Sequence, residues 1–223
     1  MKKLLNQNNI LSYIKTPFYL LFYRFYLTIK NTQIYLTTPS LLLLEILYVC
    51  EETVSWIISL ARFKQSLPHE TYGTISFFSI KKIFYDAQIK NPKIVCDLGS
   101  GKGKFLLFCM IYFNCKTVGV ESNKYYNFIY GVLIRFFFKN NSCELIKNSI
   151  LNHQIPSCDV LFCSGLCFDK KTLEYIQFQL NTSPVKPTFI SVGVKFNLEG
   201  YSIQKEILTE LSWGKEKVFI YLN

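Results

Sequence analysis

A chain of 223 residues, half of them apolar, can bury one substantial core and is too short for several domains of ordinary size. Its formal net charge of +10 suits an acidic partner, whether nucleic acid, an anionic membrane or an acidic protein surface. Lysine and arginine are nonetheless scattered, with no run longer than three, which argues against a dedicated nucleic-acid footprint. Eight cysteines without a Cys-x-x-Cys pair, beside only His69 and His153, leave no zinc pattern, so no metal is expected. Most of the cysteines fall inside apolar runs, where a reduced thiol behaves as a small hydrophobe. Met1-Lys2-Lys3 does not lead into an apolar segment with a cleavage site, and a reducing cytoplasm is the expected setting.

Residues 1–70 differ from the rest. The first 44 carry Lys2, Lys3, Lys15, Arg24 and Lys30 and no acid, interleaved with aromatics such as Tyr13, Phe18, Tyr19, Phe22 and Tyr23. A leucine-rich helix is predicted over 39–63, with Pro39 near its start and Glu45, Glu51 and Glu52 interrupting its apolar surface. No charge-free apolar stretch reaches the ~18 residues a spanning helix wants. The segment reads as a basic, aromatic-rich helical cap, with an interfacial membrane anchor as the alternative.

Residues 71–223 read as a second unit in which helix and strand alternate, the pattern of a parallel sheet. Helices are predicted over 76–88, 104–113, 125–137 and 170–179, and strands over 93–98, 117–121, 144–147, 159–163 and 188–194. The tail alternates over 203–211 and 217–222 around Ser212-Trp213-Gly214, which predicts an antiparallel hairpin.

Chemistry concentrates where the first of these strands ends. Val95-Cys96-Asp97-Leu98-Gly99-Ser100-Gly101-Lys102-Gly103-Lys104 places an acid before glycines at alternate positions, and Glu121 ends the next apolar run. In an open α/β sheet this layout puts an adenosine-containing ligand across two adjacent strand tips. The Gly-x-Gly-x-Gly spacing lacks the pyrophosphate cradle of dinucleotide enzymes, and it suits a zwitterion that needs a carboxylate near its ammonium group. S-adenosylmethionine is such a ligand. Lys102 and Lys104 read as solvated, or as steering an acidic partner.

These residues resemble the first motif of class I S-adenosylmethionine-dependent methyltransferases. The resemblance implies a three-layer Rossmann-like sheet, mostly parallel with a C-terminal antiparallel hairpin, behind an N-terminal helical extension. Asp97, Gly99, Gly101 and Gly103 match that motif, Ser100 lies within it, and Glu121 matches the acid that holds both ribose hydroxyls. A narrower likeness joins Thr71-Tyr72-Gly73-Thr74 to the glycine run. It is similar to the non-SET lysine methyltransferases of the disruptor-of-telomeric-silencing type, in which a Tyr-Gly-Glu loop precedes the same Asp-Leu-Gly-Ser-Gly. Tyr72 and Gly73 match, and the glutamate is Thr74. The family's adenine-side acid falls at Ser149, its paired asparagines fall at Ser164-Gly165, and Phe168 matches its aromatic.

The cofactor site implied is therefore Tyr72, Gly73, Asp97, Gly99, Ser100, Gly101, Gly103, Glu121 and Ser149, with Tyr72, Ser164 and Phe168 at the acceptor. No Asn-Pro-Pro-Tyr tetrapeptide follows the fourth strand, which argues against adenine-N6 chemistry. The thiols of Cys163 and Cys167 read as packing rather than nucleophilic groups. The leading expectation is methyl transfer to a protein lysine. The alternatives are an RNA or small-molecule acceptor, or an inactive membrane-surface module that retains the fold.

Overall fold

The computed structural model describes residues 25–61, 74–138, 142–211 and 214–223, with 54–61 as backbone only. Tyr72, Gly73 and Trp213, and the basic aromatic stretch 1–24, lie outside the described residues.

Seven strands form one sheet in the order β3-β2-β1-β4-β5-β7-β6. The parallel core is β1 (Ile94–Leu98), β2 (Lys116–Val120), β3 (Cys143–Ile146), β4 (Val160–Ser164) and β5 (Thr188–Val192). The tail forms the expected hairpin, β6 (Ser202–Leu211) and β7 (Gly214–Leu222), and β7 pairs antiparallel with β5. Central strands are apolar on both faces because helices cover both. Val95, Val160, Phe162, Ile190, Val192, Val218 and Ile220 face one core, while Cys96, Leu98, Leu161, Cys163, Phe189, Phe219 and Tyr221 face the other.

The first face carries most of the helices: 25–37 (α1), Pro39–Ala61 (α2), Phe77–Asp86 (α3), Lys104–Phe113 (α4) and Lys124–Phe137 (α5). Aromatic packing dominates there, with Phe77 stacked on Phe108 at 5.4 Å and Phe84 on Phe113 at 4.6 Å between ring centroids. The second face is covered by Lys170–Thr182 (α6), the short turn Ile150–Asn152 and the loop that carries Phe196 and Leu198. The fold is the expected three-layer Rossmann-like sheet.

Helix α1 falls inside the segment read as a helical cap, without predicted bounds of its own. Its β-branched Thr28, Ile29, Thr32, Ile34 and Thr37 are indifferent helix formers, and the helix is held by tertiary contacts instead. The Asn31 side-chain carbonyl accepts the Phe78 backbone N–H at 2.8 Å, Lys30 pairs with Glu210 at 2.9 Å, and the Tyr35 ring meets Phe77 edge-on. Helix α2 buries Leu41, Leu44 and Tyr48 in the same core and lies against α4.

Candidate active site

A pocket of about 320 Å³ opens at the carboxyl ends of β1, β2, β4 and β5. This is where the strand order reverses direction and where such sheets bind ligands. Its floor is the stacked pair Phe105 and Phe162, 4.0 Å between centroids. Asp97, Gly99, Ser100, Gly101, Glu121, Ser164 and Phe168 all line it, so seven predicted residues that span 72 positions of chain converge.

The loop after β1 is pinned to the end of β2. Gly99 and Ser100 donate their backbone N–H groups to the Val120 carbonyl at 2.8 and 3.1 Å. Gly99, Gly101 and Gly103 have φ of 77°, 55° and 79°, backbone that side chains disfavour. A Cβ on Gly99 would come within 2.7 Å of the Phe168 ring, and one on Gly103 within 2.1 Å of Tyr130. Phe168 thus closes over Gly99 from the far side of the pocket.

The Glu121 carboxylate accepts the Gly101 N–H at 2.8 Å and the Asn123 N–H at 2.7 Å, while still facing the pocket. A carboxylate oxygen accepts more than one donor, so capacity remains for two vicinal hydroxyls. Asp97 is buried, and among the described residues no cation or donor reaches its side chain. Burial first, and the Glu121 charge second, push its carboxyl well above the usual carboxylate range. The Ser100 hydroxyl is also buried with no partner among the described residues. A buried acid without a cation, an orphan hydroxyl and a glycine cradle together fit a ligand with an ammonium group and a ribose.

Some expectations shift. Gly103 does not face the pocket and instead caps α4 against Tyr130. Ser149 also lies away from the pocket wall, where its hydroxyl accepts the Leu151 N–H to start a short turn. Ser122, Asn123 and Tyr126 line the pocket beside Glu121 instead. They escaped notice because their signal, an Asn capping a helix, is common to helices without sites. Thr74 and Ile75, the first described residues after Tyr72 and Gly73, form part of the wall.

Lys102 and Lys104 are neither solvated nor steering groups. Both are buried, and they pair with Glu51 and, at 2.8 Å, Glu45 of α2. Their sequence partners lie 51 and 59 residues away, which no local pattern reveals. Cys163 packs fully buried, its thiol pushed well up by burial, whereas Cys167 is exposed on the pocket wall.

The fold and this pocket define a class I S-adenosylmethionine-dependent methyltransferase. Residues 50–210 match the model of the family described as histone methylation protein DOT1, and the chain belongs to that family. Solved structures share the architecture. Magnesium protoporphyrin IX methyltransferase from Synechocystis PCC 6803 superposes with a TM-score of 0.51 at 10% identity, over 65% of this chain and 78% of the other. TrmN from Thermus thermophilus gives 0.54 at 9% identity over 66% of this chain, which spans about half (48%) of TrmN. An RNA methyltransferase from Salinibacter ruber, solved with S-adenosyl-L-homocysteine, gives 0.50 at 14% identity over 63% and 87%. At these identities the structures share a fold. No curated protein matches the chain in sequence.

Proposed function

We propose that this methyltransferase acts on the ε-amine of a protein lysine. In this reading Asp97 receives the cofactor's ammonium, Glu121 its ribose hydroxyls, and the Gly99–Gly101 backbone lies under the amino-acid arm. Bound there, S-adenosylmethionine supplies an electrophilic methyl group on sulfonium. The protein's part is orientation and exclusion of water, which are worth up to ~7–11 kcal/mol in well-aligned systems.

The observation that carries the acceptor assignment is the pocket end opposite Glu121. There Val192 and Leu211, with the Phe168 ring that reaches back to Gly99, form an apolar wall, and Ser164 is its polar residue. Both acids of the lining, Asp97 and Glu121, sit at the cofactor end. An apolar, aromatic wall lowers an ammonium pKa, so an entering lysine loses its proton before attack and needs no strong base. Phe168 and Ser164 are the acceptor-side residues, and Tyr72 is assigned with them from the family resemblance. The family description, histone methylation protein DOT1, supports a protein acceptor.

An RNA acceptor is the second reading, favoured by the net charge of +10. One experiment separates the two. Lysate incubated with the enzyme and methyl-labelled cofactor is digested with protease or with nuclease. Label that protease releases and nuclease leaves supports a protein lysine, and the reverse outcome overturns it.

Peripheral membrane contact rests on a separate observation. The outer sides of α1 and α2 expose Phe25, Ile29, Leu36, Leu42, Leu43, Ile46 and Val49 without an exposed charge between them. Among the described residues no helix is long and apolar enough to cross a membrane. All eight cysteines are free thiols, from which we infer a reducing, cytoplasmic setting.

A further inference from the structure

We propose that helix α2 is part of the cofactor site, with Glu45, Tyr48 and Glu51 as positioning residues that hold the glycine loop in its binding shape. The three stand on one side of the helix at successive three-residue steps. Two hold the loop at Lys102, and the third holds Lys104, the first residue of α4. Glu51 pairs with Lys102, the Tyr48 hydroxyl donates to the Lys102 backbone carbonyl at 2.7 Å, and Glu45 pairs with Lys104 at 2.8 Å.

Two features of the loop make these contacts matter. Its glycine-rich backbone has little conformational preference of its own, and α4 begins at Gly103 with no side-chain cap. The loop's front edge is held by Val120 and Glu121, while α2 supplies the hold on its back edge. Charge adds a second reason. Lys102 and Lys104 are buried, and Lys104 lines the pocket that receives a cationic sulfonium and ammonium. Without Glu45, the Lys104 charge would lose its ion-pair partner in a water-poor site beside that ligand. The α2 carboxylates therefore set both the shape and the charge of the loop.

This inference rests on S-adenosylmethionine binding at the glycine loop, and the test separates the two. The full chain is titrated with S-adenosylmethionine by calorimetry, and each variant is also melted. Glu45→Gln and Glu51→Gln keep side-chain volume and remove the charge, while Tyr48→Phe removes one hydroxyl. Asp86→Asn is the control, since it breaks the surface pairs with Lys82 and Lys205, away from the pocket. The expected result is a Kd raised about tenfold in each Gln variant and about threefold in Tyr48→Phe, the scale of losing one charge-assisted or one neutral contact. Asp86→Asn should lower Tm with Kd unchanged. The exchanged pair Glu51→Lys with Lys102→Glu should recover most of the affinity that either single change loses. If all three α2 variants bind within about twofold of wild type while Tm falls, α2 is structural support only and the proposal is overturned. A wild-type chain that binds no S-adenosylmethionine would overturn the cofactor assignment, and the role of α2 with it.

Discussion

Asp97 stands one residue before the end of β1, its side chain on the helix-rich face of the sheet, and nothing cationic among the described residues balances it. Its carboxyl therefore keeps a proton to higher pH in the folded, ligand-free chain than in the unfolded one. That preference stabilises the fold on the acid side, and the contribution is lost as pH rises from the ordinary 3.8 through the raised value. A bound ammonium reverses the preference, because it favours the ionised form. Cofactor affinity should accordingly rise with pH across the same window, with a proton released on binding. Calorimetry in buffers of unequal ionisation heat measures that proton directly. Asp97→Asn should raise the Tm of the ligand-free protein at neutral pH and weaken S-adenosylmethionine binding at least about tenfold, the loss of one charge-assisted bond. A variant that loses Tm and keeps affinity would place the ammonium elsewhere. This acid stood out in the sequence by position alone, at the end of an apolar strand and two residues ahead of a glycine.

At the scale of elements, helix α3 is fixed at its start by a chain of hydroxyls. Ser76 caps the helix by accepting the Ser79 N–H at 3.1 Å, and the Ser79 hydroxyl donates to the Glu210 carbonyl at 2.8 Å. Glu210 also takes Lys30 and Tyr26 of α1 on its carboxylate, and Ile75 bridges to Leu211 beside it. One end of β6 thus ties α1 and α3 together next to the pocket-lining Thr74 and Ile75. Ser76→Ala removes the cap and leaves the Ser79 N–H unpaired, a cost of about 1 kcal/mol. For a chain of this size that lowers Tm by roughly 2–4 °C, which thermal melting followed by circular dichroism would register. The helix itself was legible in the sequence over 76–88, whereas the capping role of Ser76 was decided by the structure. The bounds of helix α1 were not legible, since its residues have weak helix preference and its order comes from partners 42 to 184 residues away.

For the molecule as a whole, thiol chemistry reports which surfaces the ligand covers. Cys50 and Cys167 are the exposed thiols; Cys143 is half-buried and the others are buried, with Cys109 and Cys163 pushed well up and Cys115 to about 11 by burial. At neutral pH an alkylating agent should label Cys50 and Cys167 first. S-adenosylhomocysteine should slow the reaction at Cys167, on the pocket wall, and leave Cys50 on the outer side of α2 unchanged. Mass spectrometry of the labelled peptides checks this, and equal protection of both sites would mean a change in the fold rather than coverage of the pocket.

The parallel core, the hairpin and the Asp97–Glu121 constellation could be read from the chain because each rests on short-range order: alternation, apolar runs, and an acid at a fixed step from a glycine. Those rules arise from backbone geometry and hold wherever the residues occur. The fates of Lys102 and Lys104 depended on carboxylates 51 and 59 residues upstream, and Ser149 gave way to Asn123 and Tyr126 at the pocket wall. Which cation meets which acid, and which side chains close a pocket, is settled by elements that meet only on packing, because a charge seeks the nearest partner in space and the order of the chain does not specify it.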